Sequence, residues 1–358
     1  MPEYGTPESW EEAKEISSLA ANIPNSFSTT IRFLRNDAET RKAEQGLSPA
    51  SKFALGRLVR SPSFLSPLYF AALTFKPDKL TEMKGVTANH LIGIFGADEL
   101  AAIVSLVYLY RRIRKGCDQE QWNFVDSSII AQVDLGGFIG QSMERIGLSY
   151  GILASGMEHL ATLMYLGVDK NGFIKYRRSL KKKGVSFDQV EEQQMWGCTH
   201  SQIASILTQP LGLGKVVGNA LTQGLAPMDK GAIDSLSSEA YGVYIIAVWR
   251  EALLKTGKPP DIAHKGQFYP RPDALNQLLE RAQEIRSSGS KYSWLSKGKE
   301  DISPEKTPQL ALRQAKAEVA EAVIEEEAAP EEATKEFGVS QEDLDALLTD
   351  VEEEAEDQ

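Results

Sequence analysis

Apolar residues recur along most of this chain at the three- and four-residue spacing of helices, and nowhere in the sustained alternation of strands. Helical patterns are read over 8–21, 51–59, 63–73, 88–95, 97–114, 122–142, 146–165, 170–181, 187–194, 199–208, 214–223, 229–255 and 272–287. The stretch 97–114 is apolar on most faces (Leu100, Ile103, Val104, Leu106, Val107, Leu109), the mark of a central core helix. It ends in Arg111, Arg112, Arg114 and Lys115, cations that suit the negative end of a helix dipole. The expected class is therefore all-α.

The pattern changes after about residue 288. The sequence turns Ser/Gly/Lys-rich and then, from Asp301, Ala/Glu/Pro-rich with few large apolar side chains. Such a segment buries too little surface to offset its ordering entropy, so 291–336 is expected to be a disordered acidic linker. Helical periodicity returns at 337–358. Ser340 is a good N-cap, with Asp343 three residues on. Leu344, Leu347, Leu348 and Val351 fall on one apolar stripe. A stripe this short has no core of its own, which is the physics of a tethered helix that seats in a partner's groove. The expected organisation is an N-terminal extension over 1–20, a helical domain over 21–290, the linker over 291–336 and the interaction helix over 337–358.

Charge sharpens this division. The chain of 358 residues carries a net −11, but residues 301–358 alone hold 19 Asp/Glu against 4 Lys/Arg, a net of −15, leaving +4 for residues 1–300. The acidic end repels nucleic acid, which is not an expected partner. The first residues lack a basic region followed by an apolar run, and no apolar run reaches the roughly 18 residues of a membrane span. A cytoplasmic protein is expected, with Cys117 and Cys198 as reduced thiols that suit neither a disulfide framework nor a zinc site.

Four elements fall in order along the domain. They are Ile23-Pro24; the run from Ser61-Pro62 to Ala71-Ala72-Leu73; the run from Thr87 through His90 and Gly96 to Leu100; and Glu192-x-x-x-Trp196-Gly197-Cys198-Thr199-His200, which ends at Ala204. Together they resemble the HDOD family, the HD-related output domains of bacterial signalling proteins. The resemblance covers about residues 20–250. It implies an HD-like helical bundle with an N-terminal helical subdomain, a non-enzymatic role and recruitment of protein partners. Ser61 in place of Asp, Ala71-Ala72 in place of Ala-Asn and Ala204 in place of Gly depart from the family pattern.

The same resemblance locates a lost catalytic centre. Gly151-Ile152-Leu153-Ala154-Ser155-Gly156-Met157 is similar to the Gly-Leu-Leu-His-Asp-Ile-Gly turn of HD-superfamily phosphohydrolases, with Ala154 and Ser155 in place of the His-Asp pair. Of the rest of the pocket, Asp126 and His200 remain, too little to hold a catalytic metal. Neither metal nor cofactor is expected. His200 is expected to be hydrogen-bonded inside the bundle, with contact to a small ligand as the alternative. His159 follows Ala154 by five residues, a step that turns it to another helix face.

Two further features bear on partners. Ser340-Gln341-Glu342-Asp343-Leu344-Asp345-Ala346-Leu347-Leu348 is similar to the peptide of the flagellar motor switch protein that binds a phosphorylated response regulator. A receiver domain is the partner this implies for Ser340, Gln341, Asp343, Leu344, Asp345, Leu347, Leu348 and Val351. The alternative is a nucleotide or second-messenger sensor built on Asp126, Ala154, Ser155 and His200. The basic runs 111–115 and 175–183 admit a phosphate contact, a solvated helix end, or docking of the chain's own acidic tail. Gly212-Leu213-Gly214-Lys215 is too short for a phosphate loop and reads as a turn.

Overall fold

The computed structural model describes residues 5–20, 22–42, 45–83, 85–226, 233–262, 266–303, 305–307 and 309–310. Among them there are fifteen α-helices and no strand. The linker beyond Leu310, the interaction helix with all its partner-binding residues, and His264 lie outside the described residues.

The chain divides into two compact units. Unit 1 comprises Met1–Asn22 and Tyr108–Lys291, and unit 2 comprises Ile23–Val107 with the chain from Tyr292 onward.

Unit 2 opens with α2 (Asn25–Thr40), following α1 (Pro7–Ser17) of unit 1. It continues through α3 (Pro49–Arg60), α4 (Pro62–Phe75), α5 (Pro77–Thr81) and α6 (Ala88–Ile94) into α7 (Ala97–Gly116). Four of these helices, α1, α3, α4 and α5, begin with Pro, whose fixed φ and missing N–H suit a first turn. The helix α2 buries Phe27, Ile31 and Leu34 on one face, and Phe33 packs against Ala50 and Ala54 of α3. The buried Asp37 accepts from the backbone N–H of Ser48 at 2.8 Å, tying the end of α2 to the start of α3.

Residues 292–302 do not behave as the expected linker. Trp294 and Leu295 are fully buried in a short 3₁₀ turn, and Trp294 meets the ring of Phe75 edge-on at 6.1 Å. Val86 pairs with Leu310 as an isolated parallel bridge, its N–H donating to Gln309 at 2.7 Å. Large apolar side chains in an otherwise Ser/Gly/Lys-rich stretch draw the chain back into the core.

Unit 1 is built on α8 (Gln119–Ser142) and α9 (Gly147–Val168). Around them lie α10 (Lys170–Lys183), α11 (Gln189–Trp196), α12 (His200–Thr208), α13 (Gly214–Leu225), α14 (Ser238–Thr256) and α15 (Pro272–Ser288). Nearly every residue of α9 from Leu148 to Leu166 is buried, so this is the central helix of the unit. It runs antiparallel to α8 along a line of small residues. A Cβ on Gly140 would stand 2.9 Å from the Cα of Gly151, so only glycine permits the approach. The first helix, expected as an extension, belongs to this unit: Ala13 is fully buried, and Ser9 donates to Gln202 of α12 at 3.0 Å.

Candidate functional site

Four buried chargeable side chains of unit 1, from four helices, meet in one group. Asp188 caps α11 by accepting from the N–H of Glu191 at 3.0 Å. Gly197 closes the helix in the left-handed region at φ 72°, which turns the chain straight into α12. That turn brings Glu192 to His200. The carboxylate of Glu192 accepts from the backbone N–H of His200 at 2.8 Å and lies 2.8 and 2.9 Å from its ring Nδ1. The hydroxyl of Tyr176 also donates to it, and burial followed by that carboxylate raises the Tyr176 phenol above its ordinary range.

From the other side comes Arg250 of α14, 2% exposed. Its Nη1 donates to the hydroxyl of Ser155 at 3.1 Å, and its Nη2 is bonded to the carboxylate of Glu158. Glu158 in turn faces Nε2 of His200 at 3.7 Å, joining the two halves into one chain from Tyr176 to Ser155. The half-buried Phe187 covers the group. Its ring centroid is 4.7 Å from that of His200 and 5.0 Å from that of His159, and the Arg250 guanidinium lies 5.7 Å from it.

The two histidines differ although they are neighbours. His159 bonds the Ser155 carbonyl through Nδ1 at 2.7 Å. Burial, and then Arg250, hold it well below the ordinary histidine value, so it is neutral. Burial also works against charge on His200, but Glu192 and Glu158 outweigh it and raise the ring above its ordinary value. Cys198, fully buried beside them, is pushed up to about 12 by burial, an inert thiol.

The structure thus brings Ser155 and His200 together through Arg250 and Glu158. Ala154 is buried next to Ser155 in α9. Asp126 is not part of the group. Ser155 lies level with Gly136 on α8, and Asp126 is ten residues, about 15 Å, further along that helix. There it is bonded to Tyr110.

These residues do not fit a metal. Ala154 offers a methyl group, the Ser155 hydroxyl is engaged by a guanidinium, and Nδ1 of His200 is engaged by Glu192. Among the described residues no three His, Cys, Asp or Glu side chains are grouped to hold one.

No family model, curated protein or solved structure matches this chain.

Other sequence candidates lie apart from this group. Of the basic run on α10, Lys183 pairs with Asp188 and Glu191, while Lys175, Arg178, Lys181 and Lys182 are exposed. Gly212 lies in a turn before α13 and Gly214 is the first residue of that helix, both at positive φ. No single helix among the described residues is long and apolar enough to cross a membrane.

Sequence reasoning missed Glu158 and Arg250. Glu158 carries a usable signal: it is an acid in a helix that is otherwise nearly all apolar from Leu148 to Leu166, and such an acid needs a buried cation. Arg250, between Trp249 and Glu251, has no such mark.

Proposed function

We propose that this chain is a non-enzymatic scaffold of HDOD type in bacterial signal transduction, which recruits a receiver-domain protein through residues 340–351. The observation that supports the non-enzymatic part is the side chain of Arg250. An internal cation, fixed by Ser155 and Glu158, stands beside the place of the missing His-Asp pair. A charge that is held in the fold does the packing work of an ion without leaving an open coordination position for substrate or water. The recruiting part rests on the sequence of the tail: a capped apolar stripe of Leu344, Leu347, Leu348 and Val351 beyond a long acidic stretch.

The test compares the full chain with one ending at Glu336. Each is immobilised and offered a purified receiver domain in its phosphorylated and unphosphorylated forms. Retention by the full chain alone, stronger for the phosphorylated form, is the expected result. Equal retention by both chains places recruitment on the helical body and overturns the role of the tail. Hydrolysis of a phosphate ester with added manganese or magnesium would overturn the non-enzymatic reading.

A further inference from the structure

Four chargeable side chains meet in the interior of unit 1, and each is almost fully shielded from water. Glu158 is 4% exposed, Glu192 0%, His200 1% and Arg250 2%. They come from α9, α11, α12 and α14. Two carboxylates face one guanidinium, so with a neutral imidazole the group holds an unbalanced negative charge, which a protein interior strongly disfavours. An imidazolium makes the charges even.

The ring geometry points the same way. Nδ1 lies at hydrogen-bonding distance from both oxygens of Glu192, so it carries a proton. Nε2 has no hydrogen-bond partner, and its nearest ionic neighbour is Oε1 of Glu158 at 3.7 Å. A neutral ring with its proton on Nδ1 would aim a lone pair at that carboxylate. A doubly protonated ring aims an N–H at it.

We infer that unit 1 takes up a proton at His200 as a structural ion, which clasps α11 and α12 to α9 and α14 and releases them when the pH rises. The groups that face the ring act in both directions, and the carboxylates prevail. Glu158 of α9 and Glu192 of α11 favour the proton, and Arg250 of α14 opposes it. His159 of α9 is neutral, and Arg177 of α10 helps to keep it so. Tyr176 of α10 donates to Glu192. The helices α1 and α13 meet α12 at Ser9 with Gln202, and at Gly218 beside Ser205 and Thr208, and Glu12 of α1 acts on Cys198 two residues before the ring. Because the folded ring holds its proton more tightly than an exposed one, the clasp is complete below the ordinary histidine value of about 6.5. It is lost as the pH rises through the higher folded value. This device is independent of what the tail recruits.

The test is a nitrogen-15 NMR titration of the full chain labelled at its histidines, with His200→Gln assigning the signal. Both ring nitrogens of His200 are expected to carry protons at pH 7. As the pH rises and that proton is lost, amides of 189–208 should exchange faster than those of α8 after correction for intrinsic rates. A neutral His200 ring at pH 7 overturns the inference, as does a titration that leaves those amides unchanged. If His200→Gln does not fold, Glu158→Gln serves instead. Removing one of the two carboxylates should move the His200 titration to a pH about 1–3 lower, and an unmoved titration overturns the inference.

Discussion

The guanidinium of Arg250 donates to the hydroxyl of Ser155 at 3.1 Å, across 95 residues of sequence, and with its other arm holds Glu158. Neither contact reaches water, so the pair stands or falls together. Arg250→Met is expected to leave a buried carboxylate without its cation and to destabilise the protein by about 3–5 kcal/mol. Adding Glu158→Leu to that variant should recover most of the loss, because an apolar pair of similar volume replaces an ion pair at little cost. Urea unfolding of the two single variants and the double gives the coupling directly. Strict additivity would show that the two charges act independently.

The line of glycines between α8 and α9 sets a second expectation. A Cβ on Gly151 meets the backbone of α8, with the Cα of Gly140 at 3.1 Å. Backbone cannot swing aside as a side chain can. Gly151→Ala should therefore destabilise by about 1–3 kcal/mol through overpacking, although alanine is the better helix former. A thermal midpoint at or above that of the parent chain would contradict the close packing of these helices.

Trp294 tests the correction to the domain boundary. It is fully buried against Phe75, in a stretch whose composition reads as linker. Trp294→Ala is expected to cost about 3–5 kcal/mol, and a chain that stops at Lys291 should unfold at lower temperature. Calorimetry separates this from a true linker, whose removal leaves the midpoint unchanged.

The first histidine of the site gives a pH dependence of the opposite sign to its neighbour. Burial, and then Arg250, lower the folded value of His159. The unfolded chain therefore binds a proton below about pH 6.5 that the folded chain refuses, and stability falls as the pH drops through that region. His159→Gln should flatten this part of the midpoint-versus-pH curve. An unchanged acid limb would show that other groups govern it.

In the tail, Leu344→Ala combined with Leu347→Ala should abolish receiver-domain binding and leave the thermal midpoint of the helical body where it was. Surface plasmon resonance and differential scanning calorimetry on the same preparations check both halves. Retained binding would remove the apolar stripe from the recognition mechanism.

The helices of unit 1 were legible because their apolar spacing is long and punctuated. Asp169 and Asp188 mark helix starts, and Gly184 and Gly197 mark ends. The helix α2 was not legible. Its buried Phe27, Ile31 and Leu34 sit among Ser, Thr and Asn, residues that favour turns when read alone, and only tertiary burial settles their state. The Glu192–His200 contact was half visible, since both residues lay in one motif. The spacing alone did not tell that the acid and the ring bond each other. What the sequence withheld was the cation. Arg250 lies 92 residues from Glu158, on a helix whose charged positions otherwise face outward, and no local pattern joins them.

The place of α1 in the fold has a consequence for synthesis. Its residues are made well before Gln202, which accepts from Ser9 and follows 193 positions later. At about 5–20 residues per second, that is a wait of about 10–40 s. During this interval Ala13 and Ile16, both buried in the finished unit, still lack the α12 part of their packing surface. The nascent chain therefore carries an apolar strip on α1 that waits for α12, and completing unit 1 reaches back to its first helix.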